Sequence, residues 1–514
     1  MAHFITSLEQ ILAPGVQFPP PGEVQTGRNQ KLGRLDRMAQ NKRLWDGEHD
    51  QAYGDWGKVA RFDDLLTAAT QVELMVNFHR RLSRLWKSLM LSEPPTIKVD
   101  DAAQPWCDDL MKKGRLVSAL GSDVLDMSRF GVGLLKAVKK DGQPAKIVAQ
   151  PPLIGEAGDV AGGWFPIVDP FDVTEITGHV VAWIETRREQ VLGVPVNRRY
   201  CHAQVFEPGR FVTQTWVMSG KVLKTLIAEN VTTLPEGVML LHPAQNGLTS
   251  DSIYGTDDYR DIDGLIHEVE IRMSQISAVL DKHADPNLQG PNNMVTGGTA
   301  AGHAAQAQAN AQRGGGMGQA TVKIGGKFFG RLPDEAKIEY ITWDGNLEAS
   351  FREIDTIMDL VYLLSETSPA AFALFKQAQA ESGSALKRLM MAPLLKVADM
   401  RNSLDEALMA AIYAAAALDG VTITTVEVEW KDGLPQDRAE DATIETAMFG
   451  AKLRSKEAAI RAVYGLEGDA LKDELKAIDG DQPKAPAPPT PDQIVAAARA
   501  GQAQPVAGPD KPQQ

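Results

Sequence analysis

TDDYRDIDGLIHEVEIRMSQISAVL at residues 256–280 and LEASFREIDTIMDLVYLLSE at residues 347–366 read as two amphipathic helices flanking a Gly/Ala-rich insert. In the first, Ile262, Leu265, Ile266, Val269, Met273, Ile276 and Leu280 recur at spacings of three and four; in the second, Leu347, Phe351, Ile354, Met358 and Val361 do so. Such spacing gathers apolar side chains into one stripe that needs a neighbour. The other faces are acidic. From 257 to 281, seven acids stand against Arg260 and Arg272, a net charge of −5; from 348 to 366, five acids stand against Arg352, a net charge of −4. A nucleic-acid groove would show Lys and Arg here. An acidic surface repels phosphate instead. The insert carries TGGTAAG at 296–302 and RGGG at 313–316.

A third, longer helix is expected from about Ser384 to Leu418. It contains Pro393, which in a helix interior costs roughly 3 kcal/mol and bends the axis. Its first part is basic, with Lys387, Arg388, Lys396 and Arg401. Its most apolar stretch, LMAAIYAAAAL at 408–418, is too short to span a bilayer and reads as core or subunit interface. VTITTVEVEW at 421–430 reads as a strand, and two or three short helices follow residue 434, one of them at 455–463. The last 34 residues hold eight prolines, cannot bury a core and are expected to be disordered.

Toward the N-terminus, residues 1–27 carry Pro14, Gly15, Pro19, Pro20, Pro21 and Gly22 and read as a flexible arm. Residues 28–56 mix basic and aromatic side chains; a surface helix with a packed tryptophan is favoured there over a nucleic-acid site. Residues 63–91 are helical and stop at Glu93-Pro94-Pro95, because proline lacks the backbone donor and restricts its predecessor. Residues 106–130 form another helical stretch. Between 179 and 228, HVVAWIETRRE, RRYCHAQVFE, RFVTQTWVM and KVLKTLIA are joined by short turns and read as an antiparallel meander. The fold class is therefore α+β, mainly helical.

A chain of 514 residues is long enough for more than one domain. Its net charge of −14 suits a surface that does not hold DNA. Cys107 and Cys201 make no disulfide framework and suit a reducing compartment. The opening MAHFITSLEQILAPG lacks a charged region followed by an apolar run, so no signal peptide is expected. Motifs for chemistry fail one by one. Gly325-Gly326-Lys327-Phe328 has neither the spacing nor the hydroxyl of a phosphate-binding loop. Ser384-Ala385-Leu386-Lys387 fits S-x-x-K but lacks that motif's S-D-N and K-T-G companions. Asp257, Asp258, Asp261 and Asp263 raise the question of a cation site, yet acids in a first helical turn are explained more simply by the helix dipole. No enzyme activity, cofactor, metal or membrane association is expected.

Three motifs, in order, carry a family resemblance: NFHRRLSRLWKSLMLSEPPTI at 77–97, YGTDDY at 254–259 and SGSALK at 382–387. Together they resemble the portal (head–tail connector) proteins of long-tailed bacteriophages. The resemblance implies a portal-type subunit with wing, stem, clip and crown, assembling with about eleven copies of itself into a ring around a central channel. By this likeness residues 1–61 are an N-terminal arm, 62–255 the wing, 256–283 a descending stem helix and 284–343 the clip. A returning stem helix at 344–366, a tunnel loop at 367–381, the long wing helix and strand at 382–433, the crown at 434–481 and the Pro-rich tail at 482–514 follow. The tunnel loop would bring Phe372, Phe375 and Lys376 to the DNA channel, and Glu268, Glu270, Glu348, Asp355 and Asp359 would line it. Implied partners are double-stranded DNA passing through, a terminase packaging motor, a head–tail adaptor and the capsid protein. The implied location is the portal vertex of the virion, after assembly in the host bacterial cytoplasm. The alternative is another virion structural or scaffold protein without a DNA channel.

Overall fold

The computed structural model describes residues 4–24, 32–53, 74–155, 160–191, 194–250, 252–284, 288–291, 328–332, 339–340, 347–374, 388–430, 438–466 and 468–481. The Gly-rich runs of the insert, Phe375, Lys376, the SGSALK motif and the Pro-rich tail lie outside them. The chain divides into two compact units, residues 1–434 and 435–514.

In the first unit, residues 4–24 are packed, which corrects the flexible arm expected there. Ile5, Ile11, Leu12 and Phe18 are buried. Gly15 N donates to Leu223 O at 2.8 Å and Phe18 N to Lys221 O at 2.7 Å. The apolar anchors between the prolines decide the outcome, because their burial outweighs the turn-rich composition. Helices α1 (Arg34–Asp46) and α2 (His49–Tyr53) follow. Trp45 is buried with the guanidinium groups of Arg80, Arg84 and Arg129 at 5.5, 5.9 and 5.3 Å from its ring, the packed tryptophan expected for this segment.

Helix α3 (Phe78–Leu91) starts at Asn77, whose side chain accepts from Arg80 N, and stops at the Pro94-Pro95 pair. Its buried face holds Phe78, Leu82, Trp86, Leu89 and Met90. Strand β1 (Thr96–Val99) leads to α4 (Gln104–Lys112) and α5 (Leu116–Phe130). The single stretch expected at 106–130 is thus two helices, broken at Gly114 and Arg115, the latter in the left-handed region at φ 54.

Strands β2 (Val132–Val138) and β3 (Lys146–Ala149) were not foreseen from the sequence. Strands β4 (Leu153–Ile154), β5 (Gly162–Val168), β6 (Ile176–Val191), β7 (Val194–Glu207), β8 (Arg210–Ser219) and β9 (Val222–Thr233) form one antiparallel sheet in chain order. It contains the expected meander and extends it by β4 and β5. Strand β10 (Leu241–Gln245) pairs with β2, giving a second sheet of order β10-β2-β3.

Helix α6 (Asp263–Ala284) follows. Within the region expected as the clip, β11 (Leu288–Pro291) pairs parallel with β12 (Phe328–Leu332) and antiparallel with β13 (Glu339–Tyr340). Helix α7 (Glu348–Leu364), a 3-10 turn at Pro369–Phe372 and helix α8 (Met391–Asp419) come next. Pro393 lies in the first turn of α8, so the kink expected of an interior proline does not arise; amides of a first turn have no intrahelical acceptor to lose. The buried face of α8, from Val397 through Leu404 and Leu408 to Ala416, packs over β10 and β2. Its alanine-rich end is therefore core of this subunit. Strand β14 (Val426–Glu429) pairs antiparallel with β1.

The second unit holds three helices, α9 (Arg438–Gly450), α10 (Lys456–Tyr464) and α11 (Gly468–Asp481). The Ser455 side chain caps α10 by accepting from Ala458 N, and Ile460 and Leu471 are buried.

Asp123 of α5 is fully buried against Gly133 of β2, where an added methyl would stand 2.5 Å from its carboxyl. Burial, with the charge of Asp126 beside it, pushes the Asp123 carboxyl well above the usual carboxylate range. The folded chain therefore keeps a proton that the unfolded chain releases. This stability is present below the ordinary carboxylate pKa and is lost as pH rises through the folded value. Asp123→Asn is expected to flatten part of that decline. Thermal melting at about pH 5 and about pH 8 should show a smaller difference for the variant than for the parent chain.

Candidate functional site

The roots of α6 and α7 sit in a buried polar socket. The chain enters α6 through Gly255, at φ +68, where a Cβ would fall 2.2 Å from Gly131 O. Only glycine allows that approach. Asn246 N donates to Gly131 O at 2.9 Å and Thr256 N to Asn246 O at 2.6 Å, stitching α5, β10 and the α6 entry together. Tyr259 is fully buried, its hydroxyl 2.8 Å from Ser83 Oγ, which is 2.8 Å from Ser128 Oγ.

The acids at this entry are held by partners from distant parts of the chain. Arg37 of α1 pairs with Asp257 at 3.0 Å and Asp263 at 2.5 Å. Desolvation opposes the charged guanidinium, but Asp257 and then Asp263 outweigh it and raise its pKa. Asp263 also accepts from His79 at 3.0 Å. Asp258 Oδ1 accepts from Asn246 at 2.8 Å and lies 3.3 Å from Lys396 Nζ. The same ammonium lies 3.4 Å from Glu366, just past the end of α7. Burial would lower the Lys396 pKa; the two carboxylates reverse that and raise it. Burial raises Asp258 despite Lys396.

Lys396 thus joins the beginning of α6 to the end of α7. Further out, Arg272 of α6 binds Glu353 of α7 at 3.1 Å and Glu268 at 2.9 Å. From Asp258 to Arg272 and from Glu366 back to Glu353 are similar helical lengths, about 20 Å at 1.5 Å per residue. The two helices therefore run antiparallel as a locked pair. Among the described residues no group of three or more His, Cys, Asp or Glu is arranged to hold a metal ion. No helix among them is long and apolar enough to cross a membrane.

The expected site residues divide. Glu270 is fully buried; it lies 2.6 Å from His49 Nδ1 and accepts from Val76 N at 2.9 Å. It braces α2 and the approach to α3 against α6, so the expectation that it lines a channel is withdrawn. Glu268 is half exposed and engaged by Arg272. Glu348, Asp355 and Asp359 are exposed on α7. Glu348 pairs with Arg352 at 2.7 Å, whereas Asp355 and Asp359 make no ion pair among the described residues. At about 100° per residue, Glu348, Arg352, Asp355, Asp359 and Glu366 share one narrow edge. Phe372 is half-buried, its ring 5.2 Å from Phe78 and 5.9 Å from Tyr362 of its own subunit.

The apolar stripes also divide. Ile262, Ile266, Val269, Ile276 and Val361 are buried within the subunit, whereas Leu280 and Phe351 are about half exposed, at 50% and 51%. Sequence reading missed Arg37, His49, Asn246 and Lys396. The position of Glu270, one turn beyond Ile266 and next to Val269, was a usable sign that it belongs to the buried stripe.

The family described as "Phage portal protein, SPP1 Gp6-like" matches residues 196–484, more than half of the chain. The chain belongs to the phage portal protein family, and a portal-vertex role follows from that membership. Among curated proteins none matches. Similar solved chains come from "Virion of native gene transfer agent (GTA) particle", at 13% identity and TM-score 0.41, covering 76% of this chain and 89% of that one. Another comes from "Neck of empty GTA particle computed with C6 symmetry", at 15% identity and TM-score 0.42, covering 76% and 90%.

If Lys396 locks the root, Lys396→Met should leave Asp258 buried without its cation. A loss of about 3–5 kcal/mol is expected. Denaturant unfolding should record it, with much of the loss recovered in Lys396→Met/Asp258→Asn.

Proposed function

We propose that this chain is one subunit of a ring of twelve through which double-stranded DNA enters and leaves a capsid, with α6 and α7 as the channel wall. The observation that carries the reading is the acidic edge of α7, exposed and free of ion pairs at Asp355 and Asp359. Carboxylates along a lumen repel phosphates and leave DNA no place to lodge. The subunit acts without chemistry of its own, as a conduit and docking hub in the virion.

Residues 1–61 serve as the arm and 62–255 as the wing, with the β4–β9 sheet inside the latter. Residues 256–283 and 344–366 are the stem, 284–343 the clip, 367–381 the tunnel loop, 382–433 the long wing helix and strand, and 434–481 the crown. The clip engages the packaging motor first and the head–tail adaptor later, and the capsid protein surrounds the wing. Phe375 and Lys376 act at the constriction, Lys376 against phosphate. Phe372 anchors the start of that loop on α3 and α7.

Electron microscopy of the purified chain is expected to show rings with a hole wide enough for duplex DNA; a closed oligomer without a channel overturns the reading. Asp355→Lys/Asp359→Lys should leave rings intact but slow DNA packaging or release. The defect should shrink at higher salt, where phosphate–lysine attraction is screened.

A further inference from the structure

Helix α7 has a third side. At about 100° per residue, Ile354, Ile357, Met358, Val361 and Tyr362 point into the subunit and the acids occupy a second sector. Leu360, Leu363 and Leu364 fall in a third, about 120° from each of the others. They are 43%, 70% and 48% exposed. The apolar surface continues on α8, where Met391 and Leu395, four residues apart on one face, are 57% and 66% exposed. Leu363 and Leu364 lie within one turn of Glu366, and Leu395 adjoins Lys396, so the Lys396–Glu366 ion pair at 3.4 Å holds the two surfaces to one region. Clustered exposed leucines of this kind mark an interaction surface.

We infer that Leu360, Leu363 and Leu364 of α7, with Met391 and Leu395 of α8, form the seam on which the neighbouring copy of this chain docks. The inference rests on the ring reading above and names the partner of one side of its wall. In a closed ring a wall helix faces its own subunit, the axis and an adjacent copy. The buried sector takes the first direction and the acidic sector the second. The leucine sector is left facing along the ring. DNA is a poor occupant, since the surface offers no cation to phosphate. A ring contact is heterologous, so the leucines meet a different surface of the neighbour rather than their own copy.

The test uses the full chain and the variants Leu363→Glu and Leu395→Glu, chosen because these side chains are the most exposed of the set. Circular dichroism and melting should match the parent. Mass photometry and electron microscopy should show rings for the parent and a loss of rings to folded monomer for each variant. A photo-crosslinking benzoylphenylalanine at position 363 should join one copy to another. If both glutamate variants form rings as readily as the parent, or the crosslink forms only within a single chain, the seam is overturned while the ring stands. If the parent itself gives neither rings nor intersubunit crosslinks, the ring reading falls and the seam with it.

Discussion

One ammonium group sets the geometry of the wall. Lys396 reaches Asp258 at 3.3 Å and Glu366 at 3.4 Å, so a single cation on α8 fixes where α6 begins and where α7 ends. A buried carboxylate needs such a partner, because desolvation penalises its charge heavily. The arrangement also orients α7 about its own axis. Once Val361 and Tyr362 are inward, helical periodicity dictates which residues form the acidic edge and which the leucine surface. Arg37 performs the matching task at the α6 entry by binding Asp257 and Asp263.

The acids near residue 258 illustrate how position changes the meaning of a charge. Asp257, Asp258 and Asp263 are clustered in sequence, as ligands of a cation often are. In the fold their cations are Arg37 and Lys396, so the cluster is a set of structural anchors. Twenty residues or more outward, the acids of α7 have the opposite fate. Asp355 and Asp359 are exposed, and their charge is available to whatever passes. The same residue type thus fastens the wall at its base and coats it along its length.

Much of the architecture could be read from local pattern. The strands from β6 to β9 alternate in character and are separated by Glu207-Pro208-Gly209 and Ser219-Gly220, which punctuate a meander clearly. The end of α3 was legible because two prolines enforce it. Strand β5 was not, since GGWFPIV is buried on both faces and shows no alternation. The break between α4 and α5 was signalled by Gly114 but masked by apolar residues on both sides. The site was legible as two acidic amphipathic helices and illegible as a socket. Its contacts join residues as far apart as His49 and Glu270, 221 positions in sequence, and no local pattern encodes such a pairing. The leucine surface was hidden for a different reason: Leu360 and Leu364 look like continuations of the inward stripe until the rotation of α7 is known.

The contact between Gly131 and Gly255 has a mechanical consequence. Two backbones meet there with no side chain between them, and the Gly131 carbonyl is within 2.2 Å of where a Cβ on Gly255 would be. Side chains can yield under load by changing rotamer; peptide planes cannot. A pull along α6 therefore passes directly into α5 and the β10-β2-β3 sheet rather than being absorbed at the joint. The crossing works as a stiff bearing, and the stem would move with the body of the subunit as one lever.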